Sequence, residues 1–254
     1  QFGMYGLMIE NTLKLFTGHV QVQAPGYLDD KKMRQTVPNI VPLADSLRHK
    51  FQNQRVAARG QAFALASSED RSYGIAIYGV ESKFEPQVSS IPGLVSDGRY
   101  LNDDDTAEIV IGSVLARNLR VTVGDELTLL GSGVDGSFAA AVFEIVGVFS
   151  SGIKEIDRNI AEIPLGVFQE TFFMEGAGHQ ISIVGDDLDS VAQLQSEVRS
   201  LLPVAGDLVV HDWSELQPGV KQAIQADMGS SFFMYLILVV LVSFSVLNTQ
   251  LMSV

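Results

Sequence analysis

The chain has 254 residues, a formal net charge of −13 and no cysteine. The acidic balance argues against nucleic-acid binding, because the phosphates would be repelled, and the lack of cysteine excludes disulfides, zinc–thiolate sites and thiol nucleophiles. Every Asp, Glu, Lys, Arg and His lies before residue 228, in a region long enough for one large domain or two small ones.

The first third of the chain predicts a strand–helix–strand unit. Residues 2–9 are apolar but too short to span a bilayer, and both an amphipathic helix and the outer end of a membrane helix fit them. Residues 18–23 alternate like a strand, and Leu43, Leu47 and Phe51 recur at helical spacing. Two further strands are predicted at residues 55–66 and 73–80.

The pattern of predicted elements changes in residues 97–176, where strands predominate. We predict an inserted β-rich subdomain there. Short strands at residues 108–111 and 126–130 flank a helix at 113–119. A glycine-rich turn at residues 131–136 then leads into a long Val-, Ile- and Phe-rich strand at residues 138–149.

A second strand–helix–strand unit follows the insert. Residues 180–184 and 208–211 predict its strands, and Asp186 and Asp187 are typical helix-start residues. The helical stripe consists of Leu188, Val191, Leu194, Val198 and Leu201, and Pro203 closes it. Each unit begins at a Gly-His pair. The two units together predict an α+β sandwich of the split βαβ kind.

The last 27 residues, from 228 to 254, carry no ionisable side chain. A hydrocarbon core roughly 30 Å thick needs about 20 helical residues, and residues 231–254 are enough to cross it. A buried helix of a soluble protein is the alternative. The sequence favours a transmembrane helix, which the polar residues 217–227 would connect to the domain.

Gly131, Gly133 and Gly136 match the Gly-x-Gly-x-x-Gly fingerprint of dinucleotide-binding proteins. That motif works only where the loop opens a helix, whose N-terminus binds the pyrophosphate. Here a strand pattern follows, so we predict a hairpin turn and no cofactor.

Two sets of residues suggest metal sites, and neither has the required spacing. Asp103, Asp104, Asp105 and Glu108 lack the alternate spacing and glycine of a calcium loop, so a solvated turn is predicted. The histidines stand far apart in sequence, at His19, His49, His179 and His211. We expect structural hydrogen bonds for His19 and His179, which begin strands.

No sequence motif predicts catalysis. The chain has neither a nucleophile elbow nor a phosphate-binding loop, so any ATP hydrolysis would take place on another chain. The scattered cations are predicted to be solvated: Arg117, Arg120, Lys154 and Arg158. We therefore predict no catalytic, cofactor-binding or metal-binding residue, and the protein is not expected to be an enzyme.

An aromatic cluster stands near the end of the insert. Phe168, Phe172, Phe173 and Met174 lie at roughly helical spacing, which favours packing on the inserted sheet. A partner-binding tip at residues 175–178 is the alternative interpretation. The sequence does not identify partner-binding residues.

Several segments resemble the MacB/FtsX-like superfamily of ABC transporter permeases. They are TGHVQVQAPGY at residues 17–27, IVIGSVLARNLRVTVGDELTL at 109–129, FEIVGVFSSG at 143–152, EID at 155–157 and IPL at 163–165. The likeness covers nearly the whole chain. The first segment is similar to the lipoprotein-releasing branch of the superfamily.

The resemblance implies a layout for the whole chain. Residues 1–16 would be the outer end of a first membrane helix, and residues 217–254 the membrane-proximal segment and second transmembrane helix. Between them, residues 17–96 and 177–216 would form a split α+β sandwich with residues 97–176 inserted. The domain would face the periplasm from the bacterial inner membrane, and two further helices would be missing from this chain.

The resemblance also implies a function and its partners. A cytoplasmic ATPase would drive the permease, which would pair with a second permease subunit as a homo- or heterodimer. Membrane lipid would surround its helices, and a lipoprotein would be released from the membrane to a periplasmic carrier. The alternatives are an export permease for another amphiphile and a membrane-tethered receptor domain that senses a ligand.

Overall fold

A computed structural model describes residues 17–185, 190–202 and 207–252. The strands in this part are β1 Val20–Gln23, β2 Arg55–Ser67, β3 Ser72–Val80, β4 Val95–Gly98, β5 Glu108–Gly112, β6 Glu126–Ser132, β7 Phe138–Phe149, β8 Ile160–Pro164, β9 Gln180–Val184 and β10 Val209–Asp212. The helices are α1 Tyr27–Asp30, α2 Ile40–Lys50, α3 Glu85–Val88, α4 Ser113–Leu119, α5 Lys154–Asn159, α6 Leu165–Thr171, α7 Val191–Leu201, α8 Trp213–Leu216 and α9 Pro218–Met252.

Two strand–helix–strand units interleave at one end of the sheet. The units are β1–α2–β2 and β9–α7–β10, and the strand order there is β10-β1-β9-β2. β1 is antiparallel to both β10 and β9, and β9 is antiparallel to β2. The two strands of each unit are therefore parallel and separated by a strand of the other unit, which is the split βαβ arrangement.

The remaining strands continue the same sheet in the order β3-β8-β5-β7-β4, and β6 pairs with β2 and β7. β2 belongs to both parts, because Arg55 to Arg59 pair with β9 and Ala64 to Ser67 pair with β6. We call β1, β9 and β10 with helices α2 and α7 the sandwich half, and β4 to β8 the inserted half. The predicted boundaries at residues 97 and 176 stay a prediction.

One face of the sheet carries two helix-covered cores. Helices α2 and α7 pack on Val20, Val22, Ile181 and Ile183 in the sandwich half, and helices α4 and α6 pack on the inserted half. In α2 the buried residues are Ile40, Ala44 and Leu47, whereas the predicted Leu43 and Phe51 are only partly buried. Of the second predicted helix, Asp186, Asp187, Leu188 and Pro203 lie outside the described residues.

The aromatic cluster packs on the inserted sheet, with one exception. Phe168, Phe172 and Met174 are buried in that core, as predicted. Phe173 is 49% exposed and has a φ of 58°, because the chain turns sharply after α6 and directs its ring outward. A Cβ at Gly60 or Gly79 would overlap the Phe168 side chain, so the two central strands need glycine where α6 crosses them.

The sandwich half continues from β10 through α8 into α9. No helix in the described part of the chain combines the length and the hydrophobicity of a membrane span. The transmembrane helix predicted for residues 231–254 is therefore not confirmed. Residues 1–16, predicted to end a first membrane helix, lie outside the described part.

Candidate functional site

The Gly-x-Gly-x-x-Gly segment forms a hairpin turn, as predicted. β6 and β7 pair antiparallel up to Ser132 and Phe138, and Gly136 has a φ of 87°. Asp135 stabilises the turn by accepting hydrogen bonds from the backbone N–H of Ser137 at 2.8 Å and from its hydroxyl at 2.5 Å. These bonds lower the pKa of Asp135.

The acidic run differs from the predicted solvated turn at one position. Asp103 and Asp104 are exposed, but Asp105 is buried and binds the Arg99 guanidinium at 2.7 and 2.9 Å. It also accepts the backbone N–H of Asn102 at 2.8 Å. The prediction failed here because the partner arginine precedes the turn and lies outside the acidic run. No group of metal-ligating side chains occurs among the described residues.

His19 and His179 make the structural hydrogen bonds that the sequence predicts. Nδ1 of His19 accepts the backbone N–H of Gly185 at 3.1 Å. Nδ1 of His179 accepts the N–H of Gln61 at 2.9 Å, so its Nε2 carries the proton and donates to the carbonyl of Met33 at 3.2 Å. Burial lowers the pKa of His179 to about 4, which keeps the ring neutral.

The other candidate residues do not gather into a site. His49 is exposed, and His211 lies 2.5 Å from Glu215. The four cations predicted to be solvated are exposed: Arg117, Arg120, Lys154 and Arg158. In the 175–178 tip, Gly178 pairs with Val37, so only part of that segment is open to a partner. Its role in partner binding stays a prediction.

An apolar face lies on the outer side of the inserted half. It consists of Phe63 and Leu65 on β2 with Phe138 and Val142 on β7, and these side chains are 41 to 73% exposed. Leu65 lies opposite Leu130 in the sheet, and a groove of about 470 Å³ runs beside Phe63 and Leu65. Exposed apolar patches on soluble domains commonly mark interaction sites.

Sequence reasoning missed this face because β2 reverses the usual size pattern. The small residues Ala62, Ala64 and Ala66 point into the core, whereas the large Phe63 and Leu65 point outward. The signal was present in the alternation of small and large apolar residues along 62–66. When both faces of a strand are apolar and only one packs in the core, the other apolar face is available to a partner.

A sealed polar cluster lies on the same side of the sheet, nearer the sandwich half. Arg59, Glu85 and Glu162 are all 0% exposed. Nε and Nη2 of Arg59 bind the two carboxylate oxygens of Glu85 at 3.0 and 2.5 Å, and Nη1 lies 3.3 Å from the hydroxyl of Ser182. The hydroxyl of Tyr100 donates to Glu162 at 2.6 Å. The cluster joins strands from both halves.

The two ends of the sheet-bearing part meet at one place. The side-chain amide of Gln217 donates to the hydroxyl of Thr17 at 3.1 Å, and Gln21 donates to the carbonyl of Thr17 at 2.6 Å. Val20 of β1 lies opposite Asp212 of β10 in the sheet. Thr17 and Gln217 therefore lie side by side at the β10 edge of the sheet.

The chain matches a family by sequence and resembles solved structures in fold. Residues 6–201 match the family described as MacB-like periplasmic core domain. The periplasmic region of MacB from Actinobacillus actinomycetemcomitans superposes with a TM-score of 0.57 and 18% identity, covering 86% of this chain and 98% of its own. The extracellular domain of YknZ, a noncanonic ABC-type transporter from Gram-positive bacteria, gives 0.56 and 14%, covering 76% and 99%.

At these identities the two structures show a common fold only. None of the curated proteins compared with the chain is significantly similar in sequence. The family match covers well over half of the 254 residues and includes both strand–helix–strand units up to Leu201. The chain therefore belongs to the MacB-like periplasmic core domain family.

Proposed function

We propose that this domain is the extracytoplasmic part of an ABC transporter permease and transmits movement from the membrane to a substrate outside it. The observation that carries the proposal is the meeting of Thr17 and Gln217 at one edge of the sheet. Both flanking segments would act on adjacent strands, β1 and β10, so a shift between them would reach the sheet directly. Transmission of this kind needs an element that adopts two states.

The proposed arrangement includes a membrane anchor and an ATP-driven partner. Residues 228–254 carry no ionisable side chain, and α9 presents exposed apolar residues from Met234 to Phe244. We place residues 231–254 in the bacterial inner membrane, in contact with lipid, with the domain facing the periplasm. A cytoplasmic ATPase and a second permease subunit would complete the complex. Release of the full-length chain from membranes by alkaline carbonate would contradict this placement.

The proposed substrate is a lipoprotein, which the domain hands to a periplasmic carrier. The support is the TGHVQVQAPGY segment at residues 17–27, which resembles the lipoprotein-releasing branch. The apolar face of Phe63, Leu65, Phe138 and Val142 is the surface we assign to the carrier protein. Such a contact would bury large apolar side chains that are now exposed, which is the main favourable term in association. The chain itself would bind no cofactor and catalyse no reaction.

The transmission step is tested by uncoupling the helix from the sheet. Three glycines inserted between Gln217 and Pro218 would place a flexible joint at the start of α9. In the full-length permease with its ATPase, we expect substrate release to fall to background. The rate of ATP hydrolysis and the unfolding temperature of the domain should stay unchanged. The same insertion after Gly152, in an exposed turn, is the control and should preserve release. Normal release with the joint in place would contradict the proposal.

The assignment of the apolar face is tested separately by a polar double substitution. Phe63→Ser with Phe138→Ser removes the two most exposed rings of the face, which are 63 and 73% exposed. We expect site-specific cross-linking to the carrier to disappear while the unfolding temperature changes little. Phe173→Ser is the matched control, since Phe173 is also exposed but lies outside the face. Equal cross-linking in all variants would show that the apolar face does not bind the carrier.

A further inference from the structure

The sealed polar cluster holds more carboxyl groups than cations. The Arg59 guanidinium makes its two-point contact with Glu85, which neutralises one carboxylate. Glu162 is a second carboxyl group in the same enclosed space, and it is 0% exposed. The cluster is therefore electrically balanced only if Glu162 carries a proton.

The hydrogen bonds of Glu162 do not compensate the charge of an ionised carboxylate. Oε2 accepts from the hydroxyl of Tyr100 at 2.6 Å. Oε1 is buried and meets no hydrogen-bond partner among the described residues. An ionised carboxylate needs donors at both oxygens when it is removed from water, and a lone donor leaves most of its charge uncompensated.

The groups that face Glu162 come from every element packed around it. Arg59 on β2 is the one positive group of the described cluster, and Glu85 on α3 already occupies it. Tyr78 on β3 lies opposite Glu162 in the sheet, and burial raises the pKa of Tyr78 to about 12, so it stays neutral. Tyr100 is neutral for the same reason, since burial raises its pKa, and β5 contributes the apolar Val110.

Glu162 lies close to the place where the inserted half and the sandwich half join. β8, which carries Glu162, belongs to the inserted half and lies between β3 and β5. Arg59 on β2 lies opposite Gln180 of β9, and its Nη1 reaches Ser182 of β9, in the sandwich half. A charge that appeared at Glu162 would repel Glu85, which is bound to Arg59 on β2, the strand that belongs to both parts of the sheet.

We propose that Glu162 is a buried proton site that holds the inserted half against the sandwich half when protonated and loosens this contact when it ionises. The cluster then acts as a proton-dependent latch within the domain. This inference concerns the folded domain alone and does not depend on the substrate or carrier of the permease.

The acid–base balance of the cluster gives the direction of the effect. Burial, followed by the charge of Glu85, raises the pKa of Glu162 from 4.5 to about 8, against the opposing influence of Tyr100 and Arg59. A carboxyl group with a raised pKa in the folded state binds its proton more tightly there than in the unfolded chain. Its stabilising contribution is complete below pH 4.5 and is lost as the pH rises through about 8.

The test compares the wild-type chain with Glu162→Gln in full-length protein. An infrared carbonyl band of a buried carboxylic acid should be present in the wild type at pH 6, disappear towards pH 9, and be absent from Glu162→Gln. Urea unfolding should show stability falling from pH 5 to pH 9 in the wild type. The same fall should be smaller in Glu162→Gln, because the neutral amide cannot ionise but still accepts from Tyr100.

Hydrogen exchange and a second variant complete the test. Backbone amides of β8 and β3 should lose protection at pH 9 in the wild type but keep it in Glu162→Gln. Glu85→Gln should move the disappearance of the infrared band to lower pH, because Arg59 becomes available to Glu162. No carboxylic acid band in the wild type at pH 6 would overturn the proposal, even if Glu162→Gln failed to fold. Equal destabilisation of Glu162→Gln at every pH would overturn it too.

Discussion

Two arginines, one on α2 and one on β2, bind carboxylates in clusters that differ in their contact with solvent. Arg48 on α2 is 14% exposed in its side chain and binds the Val56 carbonyl at 3.0 Å, Asp45 at 2.6 Å and Glu81. Its guanidinium carbon also lies 3.5 Å from the centre of the Phe84 ring. Arg59 on β2 is sealed from solvent and shares its surroundings with two carboxyl groups.

The difference between the two clusters shows how contact with solvent affects the charge of a carboxylate. At the rim, Glu81 accepts from both Arg48 and the backbone N–H of Ala58, and water can screen what remains of its charge. Burial still raises the pKa of Glu81, against those hydrogen bonds. The groups of the sealed cluster are 0% exposed, so bulk solvent does not screen an unpaired charge there and the protonation state decides whether the cluster is electrically balanced.

The largest expected effect comes from removing the sealed cation. Arg59→Met leaves Glu85 buried without its partner, so we expect a loss of about 3–5 kcal/mol in the free energy of unfolding. Urea unfolding at pH 6 measures this loss. Because the charge is out of reach of ions, the loss should be nearly independent of salt. A loss below about 1 kcal/mol would place the Arg59 pair in the class of surface ion pairs.

A smaller effect is expected at the rim. Arg48→Met removes hydrogen bonds to charged groups but leaves Glu81 with its backbone donor, Ala58, so a loss of about 2 kcal/mol is expected. This loss should shrink when urea unfolding is repeated at high salt, since Arg48 and Asp45 are reached by solvent. Equal losses of unfolding free energy with equal salt dependence at Arg48 and Arg59 would show that the two clusters do not differ in this way.

The elements that depend on local sequence could be predicted well. The helix at 113–119 and the strand at 138–149 have the predicted bounds, because helical spacing and β-branched composition are properties of neighbouring residues. The strand that follows Gly136 was enough to predict a hairpin turn there. His19 and His179 were correctly interpreted as structural, since a histidine beside glycine at a strand start lies next to backbone donors.

The sealed cluster could not be predicted because sheet pairing assembles it. Glu85 is 26 residues from Arg59, and Tyr100 is 62 residues from Glu162. The available signal was a single charged residue within an otherwise apolar strand, as in VAARG at residues 56–60 and IAEIP at 160–164. Such a residue predicts a buried partner but does not identify it.

The contact between Thr17 and Gln217 also bears on how members of this family could exchange their domains. When the two ends of a domain lie side by side, another domain with adjacent ends can replace it. The distance between the flanking segments then stays unchanged. Recombination at this junction would exchange the whole sheet-bearing part between members of the family without changing the distance between the segments that flank it. Chimaeras joined at residues 17 and 217 would therefore exchange this part of the chain as one unit.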